Sequence, residues 1–552
     1  MTVQDQETGT ADRRHPRALE PVTLVVLALL SVLGALIGLH MITTLGVSPN
    51  TSVIGALVAM LVGRVAFLGL VRMRSVHRQN LAQSAISGAT FAAANSLLTP
   101  IAIPWALGRP DLVWPLLLGA ALGLAIDVYV LYRSFGSRFL PADAAWPPGV
   151  AAAETIKAGD QGGRRALVLA GGGVVGLVAS FFGLPMSAAG VALIGNIWAL
   201  AMFGVGLLVS QYAPDHLAEG TTLSSLYIPH GVMIGAGLVA LVQAGLLLAR
   251  RDRGKADLDP SLAPAVAPSA RTVEDDPTTA PTVSVEQLRR TMSTGYVLYV
   301  LGAVVLAAVT GVWADMPVLA VVGWVLFAAF AAIVHELIVG LAAMHAGWFP
   351  AFAVTLIFLI CGLLLGFPTV PLAVLVGYCA STGPAFADMG YDLKAGWLLR
   401  RDNRPYTAFE LEGRRQQLLA SVVGFAVALG LVALLWRSYF ADGQLPPVSI
   451  VYADTIAAGL GDPEVLRNLA IWAVPGALVQ LLGGSKRQMG VLLATGLLVA
   501  TPNAGWLVLA ALVVRFVWVR RRGEQGETEM ALVGAGLIAG DSLNSVGRIF
   551  RG

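Results

Sequence analysis

Apolar stretches of about the length that crosses a bilayer recur from Pro21 to Trp518, separated by short polar or basic segments. A helix needs ~20 predominantly apolar residues to cross a hydrocarbon core about 30 Å thick. The runs are continuous, which fits helices and not the two-residue period of a membrane barrel. In the first half the pattern predicts spans near Pro21–His40, Thr51–Leu70, Leu112–Leu131, Ala166–Leu184, Ser187–Ser210 and Tyr227–Leu248. In the second half it predicts spans near Val297–Trp313, Pro317–Ile333, Leu418–Trp436, Asn468–Leu482, Met489–Ala500 and Gly505–Val519. Four further stretches, His77–Pro100, Val334–Leu356, Pro371–Arg400 and the C-terminal MALVGAGLIAGDSLNSVGRIF, are apolar but studded with polar groups. The last is too short for an unambiguous span and suits a re-entrant or interfacial helix. The expected fold is all-α: a polytopic helical membrane protein of about 14–16 membrane segments, in two repeat-like halves with broken or re-entrant helices.

The stretch Pro371–Arg400, PLAVLVGYCASTGPAFADMGYDLKAGWLLR, begins as an ordinary span. About ten residues in, Ser381-Thr382-Gly383-Pro384 interrupts it, after roughly 15 Å of helical rise. Pro384 cannot continue the preceding ladder but suits the first position of a new helix. That helix places Asp388 and Asp392 on one face, one turn apart. Carboxylates at membrane depth are costly and face a partner or a wet cavity. Broken helices with polar groups at the break are how many transporters build midplane sites. The alternative is a plain turn between two spans, with Asp388 through Arg400 a solvated loop.

An echo of this motif lies in the first half. Ser87–Leu97 reads SGATFAAANSL and Thr382–Asp392 reads TGPAFADMGYD; Gly88 matches Gly383, Phe91 matches Phe386 and Ala92 matches Ala387 without gaps. The first motif offers neutral groups, Asn80, Gln83, Ser84, Ser87 and Asn95; the second offers Thr382, Tyr391, Asp388 and Asp392. Repeats of this kind frame a site at the interface of two halves, in parallel or inverted orientation. Ser87 and Thr382 are then expected to approach each other across a polar cavity, the alternative being tight Gly/Ala-lined crossings.

The chain of 552 residues is 56% apolar and 12% charged, with mean hydropathy +0.74 and net charge +3. Soluble domains carry about 25% charged residues, so the class is membrane, and nothing points to nucleic acid. Residues 1–20 read as a disordered cytoplasmic N-terminus, 21–250 as a first membrane half, 251–290 as a disordered cytoplasmic linker and 291–552 as a second membrane half. Arg13, Arg14 and Arg17, then Arg72, Arg74 and Arg78, then a charged loop over Arg400–Arg415 place these segments on the cytoplasmic side. Cys361 and Cys379 lie in apolar segments and read as packing residues. Gly171-Gly172-Gly173 lacks the Gly-Lys-Ser/Thr of a phosphate loop, so close helix packing is the better reading. His335-Glu336 is not a zinc motif, because Val339 stands where the second His belongs. His335, Glu336 and His345 read as single polar groups facing the bundle interior or its edge.

These residues resemble the oligopeptide transporter superfamily, which includes the yellow stripe-like metal–chelate transporters. The most specific match is Asp388–Arg400: Asp392-Leu393-Lys394 and Gly396 agree with the family pattern, and Ala395 replaces its threonine. Asn80 with Gln83, Pro148-Gly149, Ala153-Glu154 and the run Ala535–Ser542 are similar to family landmarks; Gln79 stands where the family often has Glu. The Asn-Pro-Gly and Lys-Ile-Pro-Pro-Arg signatures of the eukaryotic peptide branch are absent, which weighs against peptides specifically; the resemblance is to a prokaryotic member. The resemblance implies a proton-coupled symporter of about sixteen helices in the cell membrane (plasma or inner), importing peptides, peptide-like compounds or metal chelates, with protons as coupling ion and no other cofactor.

The candidate site residues are therefore Asn80, Gln83, Ser84, Ser87, Asn95, Thr382 and Tyr391 toward substrate, and Asp388, Asp392, Glu336 and His335 as proton carriers, with no metal site. Without a Walker motif, ATP is not the expected driver. The rival classes are a passive channel, which needs a polar ring but no titrating group, and an intramembrane enzyme, which needs an Asp-rich metal cluster that this chain does not show.

Overall fold

The structure is a computed structural model that describes residues 15–46, 70–159, 163–218, 221–251, 278, 280–346, 351–403, 406–459, 463–499, 501 and 503–549. The expected span near Thr51–Leu70 and most of the 251–290 linker lie outside these residues. Among the described residues the fold is entirely helical apart from one isolated bridge, Phe135 with Leu140. Nine described helices are long and apolar enough to cross a membrane, and five shorter apolar helices accompany them.

The first half contains α1 (Pro21–Leu45), α2 (Val76–Ala106), α3 (Val113–Ser134), α4 (Pro147–Gly159), α5 (Gly163–Phe181), α6 (Met186–Ile194), α7 (Ile197–Tyr212) and α8 (Ile228–Arg251). The second contains α9 (Val285–Thr310), α10 (Val318–Ala346), α11 (Ala351–Leu364), α12 (Thr369–Ser381), α13 (Pro384–Arg400), α14 (Tyr406–Ala441), α15 (Pro447–Ala458), α16 (Pro463–Arg487), α17 (Met489–Leu498) and α18 (Ala504–Ile549). Local chemistry sets several boundaries. Pro21 and Pro384 begin helices, where a missing N–H costs nothing. Ser284 and Gln287 form a reciprocal capping box that starts α9 six residues before the expected end of the linker.

Several expectations are corrected. Ser187–Ser210 is not one span: it breaks at Gly195-Asn196, where the Asn196 side chain caps α7 by accepting from Trp198 N (3.0 Å) and Ala199 N (3.2 Å). The C-terminal piece forms a helix of its own after a break at Gly523 (φ 60°, ψ −142°) within α18, and the two arms meet through Arg515 with Glu527 (3.3 Å) and Trp518 Nε1 with Glu529 (2.9 Å). The stretch expected to be a loop over Arg400–Arg415 is largely helical, and Arg400 and Arg414 are buried.

Packing does not follow the two sequence halves. One apolar core joins residues 35–146 with 299–456; a second joins 169–207 with 499–538, and α1 contributes to both. The close-packing reading holds in the second core at Gly172, where a Cβ would meet Val533 O at 2.8 Å, and extends to Gly176, where one would meet the Leu537 Cα at 2.8 Å, whereas Gly171 faces open space. Gly172 and Gly176 cross Gly536 and Gly540, small residues four apart on both helices.

Candidate functional site

Among the described candidate spans, the two motifs are the most enclosed. Residues 76–106 and 369–400 are each 94% buried over their apolar windows, against 61% or less in the other candidate spans. Both are irregular. Ala92–Leu98 winds as a π-helix, a rare form concentrated at functional sites. The second motif breaks at Thr382-Gly383, with Gly383 at φ 84° and ψ −54°. Asp388 through Arg400 is thus a buried helix rather than a solvated loop.

The motifs cross antiparallel in direct contact. Asn80 donates to Gln83 (3.0 Å), Gln83 donates to the Asp392 carboxylate, and the Ser87 hydroxyl donates to Asp388 (2.6 Å). Ascending from Gln83 to Ser87 descends from Asp392 to Asp388; if the motifs are repeat partners, the relation is therefore inverted. Ser84 accepts from Gln417 Nε2 (3.1 Å), which also donates to the Asp392 carbonyl (2.7 Å). Lys394 does not pair with Asp392. Two residues away on the helix, it faces elsewhere: it donates to the Ala142 carbonyl (3.0 Å) and lies over the Trp397 ring, three residues on, at 4.2 Å. Tyr391 is buried edge-on to Trp146 (5.9 Å), and its hydroxyl has no hydrogen-bond partner. Asn95 lies in the π-helical turn, half-buried.

The expected facing of Ser87 and Thr382 is corrected. Ser87 meets Asp388, one turn beyond the break. Thr382 turns to the carbonyls of Cys379 (2.9 Å) and Ala332 (3.2 Å) and to His335 Nδ1 (3.2 Å). His335 Nε2 lies 2.9 Å from both the Ala351 carbonyl and Thr355 Oγ1. A carbonyl only accepts, so Nε2 carries the hydrogen.

A break inside a membrane orphans backbone N–H groups. Asp127, from the middle of α3, takes them: Gly383 N–H donates to its two oxygens (2.9 and 3.1 Å) and Phe386 N–H donates to one (2.8 Å). A carboxylate at a helix N-terminus is favoured by the helix dipole. Beside Asp127 lies the carboxyl of Glu336, which accepts from the Tyr299 hydroxyl; the Tyr378 hydroxyl donates to the Tyr299 carbonyl (3.2 Å). All four side chains are fully buried. Close packing leaves the break little freedom: a Cβ on Gly383 would meet Val339 Cβ at 2.9 Å and His335 Nδ1 at 3.0 Å.

At the other end of α13, Glu410 is held between Arg400 Nε (2.7 Å) and Arg414 Nε (2.6 Å), and Arg400 Nη1 donates to Gln417 (2.7 Å). Polar contacts thus run the length of α13, from Asp127 at the break to the ion network. Residues 15–20, 70–78, Thr278, 280–282, 400–403 and 406–416 meet at this end: Arg72 and Arg78 pair with Glu20, Ala18 N donates to Gln416 (2.7 Å), Trp397 Nε1 to the Thr278 carbonyl (3.2 Å), and Arg414 to Thr282 (2.8 Å). Among the described residues, no three His, Cys, Asp or Glu side chains come together as metal ligands.

The site contains residues that the sequence reading passed over, Asp127, Tyr299, Glu410 and Gln417, and one, Arg414, that it placed only in a charged loop. The available signal for Asp127 was a lone carboxylate inside an apolar span. No curated protein matches the chain. The profile described as OPT oligopeptide transporter protein matches residues 170–550, which include the broken segment 369–400, Glu336 and Asp541 but not Asn80–Asn95 or Asp127. Taken with an all-helical, multi-pass membrane fold built around that segment, a match over more than two-thirds of the chain shows that it belongs to the OPT oligopeptide transporter family.

Proposed function

We propose that this protein is a proton-coupled secondary transporter that carries small peptides, peptide-like compounds or metal chelates into the cytoplasm across the cell membrane. The observation that carries the reading is the direct meeting of the two irregular, most enclosed spans along a row of polar contacts. Interrupted helices leave backbone donors and acceptors that a ligand satisfies once the segments part. Asn80, Gln83, Ser84, Ser87 and Asn95 offer amides and hydroxyls on one side; Thr382 and Tyr391 add hydroxyls on the other. Asp388 and Asp392 supply negative charge. That division suits a zwitterionic or amide-rich ligand, oriented by neutral groups and balanced by carboxylates. Asp388, Asp392, Glu336 and His335 are the proton carriers. Arg72 and Arg78 pair with Glu20 at the end where Ala18 meets Gln416, and this basic character supports a cytoplasmic placement of that end.

The test is uptake by the purified full-length protein in proteoliposomes, with an acidic exterior and a labelled panel of dipeptides, tripeptides and metal chelates. Accumulation above the external concentration, abolished by a protonophore, is the expected result. Equilibration without accumulation would replace the transporter by a channel.

A further inference from the structure

We infer that Asp127 and Glu336 form a proton-binding pair that latches the interrupted helix, so that loss of one proton releases Gly383 and the start of α13. The inference deepens the proton-coupled reading and rests on it for its role in transport, but the proton site itself is argued from geometry alone.

Every oxygen around the pair is accounted for except one. Both Asp127 oxygens accept backbone N–H groups from Gly383 and Phe386. Glu336 Oε2 accepts the Tyr299 hydroxyl, and Oε1, fully buried, has no donor. A buried acceptor without a donor is rare and calls for an explanation. Among the described residues no Lys or Arg interacts with either carboxyl. The other groups near the pair are also spoken for. Tyr299 and Tyr378 face it from α9 and α12. His335, next to Glu336 on α10, is bonded to Ala351, Thr355 and Thr382. Asp388 on α13 accepts from Ser87. A proton on Glu336 Oε1 completes this arrangement: Oε1–H donates to Asp127, Oε2 remains the acceptor of Tyr299, and Asp127 stays an anion at the N-terminus of α13.

Proton occupancy then sets the state of the break. With one shared proton, the net charge of the pair is −1 and that charge faces the helix N-terminus, where it is stabilising. When Glu336 gives Oε1–H to a water molecule, forming hydronium, two buried anions stand side by side without a cation. Like charges disfavour that state, and it is relieved when α3, which carries Asp127, moves away from α10, which carries Glu336, or when water enters, and that movement draws Asp127 off the N–H groups of Gly383 and Phe386. A cation in place of the proton is disfavoured by the existing donors: the neighbours of the pair point N–H and O–H groups at it, not the several oxygens that a metal requires.

The test uses two readouts on the purified full-length protein without substrate. Infrared spectroscopy between acidic and alkaline buffer should show the C=O stretch of a protonated carboxyl that is absent in E336Q. In Y299F the band should persist but move to higher frequency, because Glu336 Oε2 loses its donor. Hydrogen exchange of the peptide containing Gly383 and Phe386 should rise at least tenfold in D127N. In the wild type it should rise at alkaline pH by more than the intrinsic exchange rate does, a rise absent in E336Q. A wild-type band that persists unchanged in both E336Q and Y299F, or exchange at Gly383 and Phe386 indifferent to D127N, would overturn the inference. If E336Q fails to fold, the Y299F shift decides the infrared arm. Proteoliposome uptake is scored separately: a wild type that shows the latch but no pH-driven uptake refutes the transport reading and leaves the proton site intact.

Discussion

Replacing Glu410 by Gln removes the anion that sits between two buried guanidinium groups. Glu410 and Arg400 are fully buried, Arg414 nearly so, and the carboxylate takes Arg400 at 2.7 Å and Arg414 at 2.6 Å. The amide keeps the shape, loses the charge and points donors at donors. Removing one partner from a buried ion pair costs about 3–5 kcal/mol. Against a typical folding stability of ~5–15 kcal/mol, that is a large share. The same substitution at Glu464, whose pair with Arg467 is exposed and 3.4 Å long, should cost no more than about 1 kcal/mol. The assay heats detergent-purified wild type, E410Q and E464Q and follows the fraction that remains monodisperse. E410Q should denature at clearly lower temperature, and E464Q with the wild type. The double variant R400M/E410M removes both charges and leaves Arg414 its bonds to the Phe135 carbonyl (3.1 Å) and Thr282 (2.8 Å); it should be more stable than E410Q. An E410Q protein as stable as E464Q, or a double variant below E410Q, would refute the view that charge balance rather than side-chain shape holds this end of α13.

Asp392→Asn should abolish pH-driven uptake while changing thermal stability little, because the amide oxygen still accepts from Gln83; a large stability loss with uptake intact would reverse the assignment. Gly540→Ala should destabilise by about 1–3 kcal/mol, since its Cβ would fall 2.5 Å from Leu177 N and 3.0 Å from Gly176 C. Gly171→Ala, in open space on α5, should be neutral or stabilise by about 0.5–1 kcal/mol; equal thermal shifts in the two would contradict the crossing. Burial, then the charge of Arg400, holds the His15 imidazole at about 3, below its ordinary 6.5. The unfolded ring therefore takes a proton that the folded one refuses, so this stability is present above pH 6.5 and is lost as the pH falls toward about 3; His15→Phe should flatten the fall in thermal midpoint below pH 6.5, and an unchanged slope would sink the claim.

The sequence exposed what was locally encoded. Gly383-Pro384 within an apolar run marks a break by backbone chemistry alone, and Asp388 and Asp392 share a face through helical periodicity. Asn80, Gln83, Ser84 and Ser87 share the polar face of α2 for the same reason. What stayed hidden depends on distant partners. Glu410 and Arg414 resembled a solvated loop because high charge density next to an apolar run reads as solvated, and only the fold pairs Glu410 with Arg400. Asp127 was visible as a lone acid in an apolar span, but its use as a cap required the break in another helix more than two hundred residues away to be placed beside it. The pairing of sequence into cores was equally nonlocal: the composition shift after Arg251 separates lengths of chain, while α1 packs with segments from both.

An acid inside a membrane is not by itself a sign of proton chemistry, and the second core supplies the comparison. Asp541 on α18 is buried, like Asp127, and also serves an interrupted stretch: Ser187 N–H at the start of α6 donates to it at 2.6 Å. A short helix that begins within the bundle needs an acceptor for its first N–H groups, so an acid at each break is first a structural requirement. The difference lies in the company each keeps. Asp541 also accepts from Ser180 Oγ (2.5 Å) and has His40 Nε2 at 3.6 Å, both donors or potential cations. Asp127 has another carboxyl. Asp541→Asn should therefore weaken the attachment of α18 to α1 and α6, lowering the thermal midpoint, while leaving the infrared carboxyl signal and the pH response of Gly383 exchange as in the wild type. If D541N instead erases the pH response at Gly383, proton sensing belongs to the link between the two cores, and the distinction between a capping acid and a coupling pair fails.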